Sequence, residues 1–356
     1  MKKIGIAISA FALLVASASA YNPPVFSESL WNLSSTRNLT GQNSVAGVGT
    51  LGAGPDSIVV NPALTAQAQR VALNVGYTAL VTYDPSDADY GNAFQTGILM
   101  PFKMFNFTGL ANMVSFPWLE TSMNFKAGLS KEITPKLTVG ANADAGFAWG
   151  AGSDWAIGAG LGFVYDFGPL SFMPDFSIGA SVLNLGKYYK NDVVGASWKK
   201  DQTSWPSLAT LKAGASATFF KNDTIDFGAS LDVTVPSFQN AIFDITPRFS
   251  VKEMLYFTVP VSINCYEIAE ASDGVYNSGF SAGIGAFFKF NFNVKNNQYL
   301  EQNGWSESEM IASAAYKNLD SSVHAISANV DVNLGMKDKT PPVIKVWSDD
   351  EEDDEE

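Results

Sequence analysis

The sequence is poor in charge, histidine and cysteine. Charged residues make up 16% of its 356 positions, against about 25% in an ordinary soluble domain. With 46% apolar residues, that balance excludes a disordered chain, which combines low hydrophobicity with high charge. Cys265 stands alone, so there is no disulfide framework, and a small buried apolar role is expected for it. His324 is the one histidine, and no Cys/His cluster has zinc-ligand spacing. No stretch of about 18 apolar residues occurs, which argues against a spanning helix. The 22 bases against 35 acids give a net charge of −13, which repels phosphate and excludes nucleic acid as a partner.

The acidity is unevenly placed. The chain closes on Asp349, Asp350, Glu351, Glu352, Asp353, Asp354, Glu355 and Glu356. At the other end, Met1-Lys2-Lys3, an apolar run from Ile4 to Val15 and Ala18-Ser19-Ala20 have the layout of a bacterial secretory signal. Cleavage is expected after Ala20. Removing Lys2, Lys3 and the eight terminal acids leaves 20 bases and 27 acids, a mildly acidic body of net −7. The acidic run reads as a solvated periplasmic tail, at 337–356, open to a basic periplasmic partner.

What the sequence has in quantity is strict alternation. Val71, Leu73, Val75, Tyr77, Ala79, Val81 and Tyr83 alternate with Ala72, Asn74, Gly76, Thr78, Leu80 and Thr82. A period of two sends one set to each face of a strand. The pattern recurs at 122–130 and 137–149 around a short turn containing Pro135, and then through 155–167, 176–185, 208–220, 225–235, 242–252, 255–264, 280–290, 309–317 and 324–335. Two less regular segments, 93–100 and 105–115, complete about 14 strands. One face is apolar, and the other is Gly, Ser, Thr, Asn and Asp rather than Lys and Glu. Many strands have the roughly 9–11 residues of a tilted membrane crossing. The fold class predicted is therefore an all-β, antiparallel transmembrane β-barrel, apolar towards lipid and polar within.

Connections alternate in length. Those at 101–104, 131–136, 168–175, 221–224 and 253–254 are short, as periplasmic turns are. The opposite set includes two long loops, 186–207 and 265–279. The connection at 291–308 is the exception, long on the short-turn side. Trp118, Trp149 and Trp155 fall at one level near strand ends, as an interfacial girdle would.

Before the strands, residues 21–68 do not alternate. Gly47-Val48-Gly49-Thr50-Leu51-Gly52-Ala53-Gly54 lacks the Lys-Ser/Thr of a phosphate loop, and no cofactor is expected. Asn61-Pro62-Ala63-Leu64 then precedes the first strand. A Gly-rich segment reaching Asn-Pro-Ala just before a long strand resembles the FadL family of outer-membrane transporters and the related PorV proteins, although the Gly of their Asn-Pro-Ala-Gly-Leu is missing here. Ser177–Gly186, ending in Asn184-Leu185-Gly186, and Asp226–Val233 are similar to strands of that group. The chain most resembles the spirochaete UPF0164 family over roughly residues 25–336.

The resemblance implies a monomeric barrel (69–336) in the bacterial outer membrane, with an N-terminal hatch (21–68) in its lumen. It implies passage of long-chain fatty acids or other hydrophobic small molecules, and no enzymatic activity. Asn61 and Pro62 would shape the hatch turn. On the loop 186–207, Tyr188, Tyr189, Val193, Val194, Trp198 and Trp205 are the substrate-capture candidates, as exposed apolar groups on a loop. One departure from the pattern is the end of the barrel: Leu334-Gly335-Met336 replaces the usual terminal aromatic.

Catalysis finds little support. His324 shares a face with Ile326, Ala328 and Val330, the lipid side, away from any nucleophile. Asp226 and Asp232 share a lumenal face and hydrate it. Two functions remain: a channel for hydrophobic solutes, or a PorV-like barrel serving protein interaction or secretion without solute transport. The first calls for an apolar path past the hatch and the second for a plugged lumen.

Overall fold

The computed structural model describes residues 27–82, 90–116, 120–150, 152–187, 189, 209–270, 279–293, 297–302, 305–320 and 323–335. The leader, the acidic tail and Trp118 lie outside the described residues.

Alternation becomes strand at every segment where it was read. The segments are β1 (Val71–Thr82), β2 (Tyr90–Pro101), β3 (Asn106–Phe116), β4 (Glu120–Thr134), β5 (Leu137–Trp149), β6 (Ser153–Leu170), β7 (Met173–Lys187) and β8 (Thr210–Lys221). They continue as β9 (Ile225–Pro236), β10 (Ile242–Val251), β11 (Leu255–Thr258), β12 (Val261–Asn264), β13 (Phe280–Asn293), β14 (Glu307–Asp320) and β15 (Val323–Leu334). β11 and β12 are two halves of one strand, since both pair with β10 and β13. Pro260 interrupts it because proline has no N–H to give the ladder. The sheet is thus a 14-strand barrel.

Every neighbouring pair is antiparallel, and β1 closes on β15 from Val71↔Leu334 to Thr82↔Val323. Closure leaves no sheet edge for lipid to meet. Along β1, Leu73, Val75 and Tyr77 are exposed while Asn74, Thr78 and Leu80 are buried. The same alternation continues around the barrel through Phe125, Leu129, Phe147, Ile157, Leu161, Ile284, Ile326 and Val330, all outward and exposed. This continuous apolar belt is the face that lipid covers. Trp149 and Trp155 are exposed at the loop joining β5 to β6. The long connection at 291–308 carries a short helix, Gln298–Gln302, so this turn holds an inserted element and no strand is misplaced.

The segment before β1 fills the lumen. It folds into short turns of helix at Ser27–Asn32, Thr36–Leu39, Gly49–Leu51, Pro55–Val59 and Pro62–Gln67. Ser35 caps the second by accepting from the Asn38 amide. Gly41 and Gly52 take positive φ of 65° and 79°, where a side chain would be strained. Most residues from Leu30 to Leu64 are buried.

Candidate functional site

The plug is fastened to the wall by side chains that strand alternation aims inward. Arg37 Nε donates to Asp331 Oδ2 of β15 at 3.1 Å, and both side chains are 1% exposed. Its Nη1 donates to the Gly52 carbonyl at 2.6 Å. Asp56 lies close to the pair, accepting from the Ser35 hydroxyl. Burial pushes the Asp56 carboxyl up from its ordinary pKa, and the nearby Arg37 charge only partly offsets this. For Arg37, burial works against the charge, but Asp331 and Asp56 outweigh it and hold the guanidinium above its ordinary pKa. Thr36 Oγ1 donates to Asn329 Oδ1 at 3.0 Å and lies 3.1 Å from Ser327 Oγ.

Further around the wall, Asp232 of β9 accepts from Ser44 Oγ at 2.8 Å and from the Val45 amide at 3.2 Å. On β7, Ser177 and Ser181 donate to the carbonyls of Ala46 and Val60, each at 2.8 Å. Asp232 thus holds the plug, a more specific task than hydrating the lumen.

Asn61 is fully buried and makes the hatch turn. Its Oδ1 accepts from the Ala63 amide at 3.0 Å, and its Nδ2 donates to the carbonyls of Val45 at 2.8 Å and Phe163 at 3.0 Å. Pro62 follows at the first helical position, where its missing N–H costs nothing. The wall opposite is glycine for a steric reason. A Cβ on Gly140 would lie 2.5 Å from the Pro62 carbonyl oxygen, and one on Gly162 would collide with Asn61 Oδ1. The Asn-Pro-Ala turn therefore lies directly against bare backbone of β5 and β6.

Above this polar middle the plug and wall share an apolar cluster. Leu30, Trp31, Leu33, Ile58 and Val59 of the plug meet Leu110, Val114 and Phe116 of β3, Ala148 of β5 and Tyr189. Of the six capture candidates, Tyr189 is the one described. It is buried at 4% exposure, its hydroxyl crowding Gly146, rather than displayed on a loop. Burial pushes its phenol up from the ordinary pKa. Tyr188, Val193, Val194, Trp198 and Trp205 lie outside the described residues.

Two cavities beside the plug are small and polar. One, of about 100 Å³, is lined by Lys212, Asp232, Asp244, Ser262 and Lys317 against Leu33 and Leu39. The other, about 30 Å³, lies by Arg248, Asp226 and Gln42. At roughly 30 Å³ per water the first holds about three waters, well short of the roughly 300 Å³ of a typical ligand pocket.

His324 lies on the expected face, and Cys265 does not keep to its expected burial. His324 faces outward on β15, with Nδ1 2.9 Å from the Tyr316 hydroxyl, and the two rings stack. Cys265 is exposed at the start of a short helix, Cys265–Glu270, rather than buried. It begins the loop after β12, beyond the alternating pattern that would have turned it inward.

Sequence reading missed Arg37 and Asp331. Arg37 is the single basic residue in 21–68, and alternation already places Asp331 on the lumenal face. A lone base in the plug was the available signal, but several lumenal acids, Asp226 and Asp232 among them, left its partner open.

These features define the class: an outer-membrane β-barrel with an internal plug tied to its wall by buried polar and ionic contacts. No family model matches the sequence, and no curated protein matches it. Among solved structures, the chain is similar to the CymD monoaromatic hydrocarbon channel, with a TM-score of 0.55 at 12% identity over 88% of this chain and 100% of that one. It is similar to a TodX monoaromatic hydrocarbon channel lacking S2, at 0.52 and 12% over 86% and 100%. It also matches the P. putida toluene transporter TodX, at 0.50 and 12% over 85% and 98%. The likeness is one of fold, that of the FadL-type channels, and the protein's place is the bacterial outer membrane.

Proposed function

We propose that the protein is an outer-membrane channel for hydrophobic small molecules. The observation that carries this reading is the combination of a FadL-type plugged barrel with an apolar cluster at the outer end of the plug, where Leu30, Trp31 and Leu33 meet Leu110, Val114 and Phe116. An apolar solute gains roughly 25 cal/mol for each Å² it buries there. The protein performs no chemistry on it. Long-chain fatty acids and monoaromatic hydrocarbons are both within this solute class. Membership of the UPF0164 group, a monomeric state and a periplasmic partner for the acidic tail belong to the same reading.

A second reading has its own observation. The plug fills the lumen and its neighbouring cavities are polar and small, as a barrel devoted to protein interaction would have. The two differ in whether the plug moves.

Tryptophan fluorescence of the detergent-folded protein, titrated separately with oleate and toluene, tests the first reading. A saturable shift is expected for at least one. No saturable change, with no lipid co-purifying, contradicts it.

A further inference from the structure

The cavity of about 100 Å³ lies between the plug and the wall formed by β8 to β14. It sits near the outer mouth, since Lys212 follows the outer end of β8 at Thr210 and Lys317 precedes the outer end of β14 at Asp320. Alternation aims both lysines inward. Lys212 lies opposite Thr234 of β9, and Lys317 lies opposite Gly283 of β13. Asn38, Leu39, Asn43 and Val45 of the plug close the other side.

The acids lining this cavity already have donors. Glu28 accepts from Asn240 and Asn264. Asp232 accepts from Ser44 Oγ and from the Val45 amide. Asp244 accepts from the Ser262 hydroxyl, and Ser262 Oγ accepts from Lys317 Nζ at 2.9 Å. Lys317 therefore reaches Asp244 through a hydroxyl. Glu267, on the rim, is engaged as well. Lys212 differs. It is 8% exposed and faces the cavity, yet it makes no hydrogen bond or ion pair with any described residue. Asp244 and Asp232 attract it only from beyond contact distance. An ammonium offers three donors and no acceptor, and a buried charge calls for a partner. What the cavity lacks is an acceptor that carries negative charge.

We propose that this cavity is a binding site for one small monovalent anion, a halide or a short carboxylate such as formate or acetate, held by Lys212 with Lys317 on the same wall. Room for about three waters admits such an ion and excludes a larger one. The ligand is hydrophilic, and the site is separate from the apolar cluster around Trp31 and Phe116. It is therefore distinct from the solute of the channel reading and stands without it. Plug residues form one side of the site, so a bound ion stabilises the plugged barrel by mass action.

The test uses the full chain in detergent and reads the temperature at which the folded, heat-modifiable gel band is lost. Sodium gluconate, whose anion is too large for the cavity, is replaced by sodium chloride, formate or acetate at constant ionic strength. The native protein is expected to gain about 2–4 °C, saturably, with at least one small anion. A response to chloride alone identifies a halide site, and a response to formate or acetate alone identifies a carboxylate site. Lys212→Met, with Lys212→Gln substituting if it does not fold, should abolish the response. Lys103→Met, on the exposed turn between β2 and β3, should retain it. No saturable gain in the native protein, or an equal gain in the Lys212 variant, overturns the site.

Discussion

Arg37 Nε and Asp331 Oδ2 are 3.1 Å apart, and both side chains are sealed from solvent. One belongs to the plug and the other to the last strand, 294 residues later in the chain. Removing one partner of a buried pair leaves an uncompensated charge, which costs about 3–5 kcal/mol. Arg37→Met is therefore expected to loosen the plug and lower the urea midpoint in detergent. Arg37→Met combined with Asp331→Leu should recover most of that loss, because no charge is then left buried. If the double variant is as unstable as the sum of the two singles, the pair is not the fastening described.

The hatch turn depends on one amide. Asn61→Ala removes the cap on Ala63 and both carbonyl contacts. An expected loss of about 1–3 kcal/mol should appear as faster proteolysis within 41–67, with the barrel itself remaining protease-resistant. Unchanged cleavage would mean that Pro62 and the packing around it define the turn without Asn61.

Glycine at position 140 leaves room for the Pro62 carbonyl. Gly140→Val is expected to displace the plug and raise ion conductance in planar bilayers, since backbone cannot yield as a side chain does. Gly168 is the control: nothing lies within 4 Å of a Cβ there, although its φ of 69° makes any side chain mildly strained. Gly168→Asn should leave conductance unaltered.

At the outer mouth, Glu28 accepts from Asn240 Nδ2 at 2.8 Å and from Asn264 Nδ2 at 2.8 Å. Burial raises its pKa, and the two amides offset this only in part. A carboxyl whose folded pKa is raised gives its full stabilisation below the unfolded value and loses it as pH rises through the folded one. Glu28→Gln should therefore remove a decline in stability that the native protein shows above the ordinary glutamate range. Denaturation midpoints taken at intervals from pH 4 to pH 8 check this; parallel curves for the two proteins would contradict it.

How much of this was legible beforehand depended on periodicity. Strand positions from Val71 to Leu334 could be read because a lipid face and a polar lumen impose a period of two on every strand. The break at Pro260 was hidden, since alternation runs through it and only the missing donor marks it. The plug could be delimited by its lack of alternation, but its fastening could not be read. Arg37 meets Asp331, and Ser44 meets Asp232, across sequence distances that no local pattern encodes. Tyr189 was chosen as an exposed aromatic, yet it folds inward over Gly146 because a glycine on β5 leaves space for its ring. The glycines of the wall read only as small residues. That Gly140 and Gly162 make room for a particular turn emerges only once the plug is in place.

The central claim is that this plugged barrel admits hydrophobic solutes. The most direct test is uptake of labelled oleate and labelled toluene by a Gram-negative host that lacks its own hydrophobic-solute channel and expresses this chain in its outer membrane. The account predicts saturable uptake of at least one solute above the empty-vector level, abolished when a short thiol cross-linker ties Ile58→Cys to Gly128→Cys across the plug–wall seam. Uptake equal to the empty vector, with the barrel folded and present in the outer membrane, would contradict it.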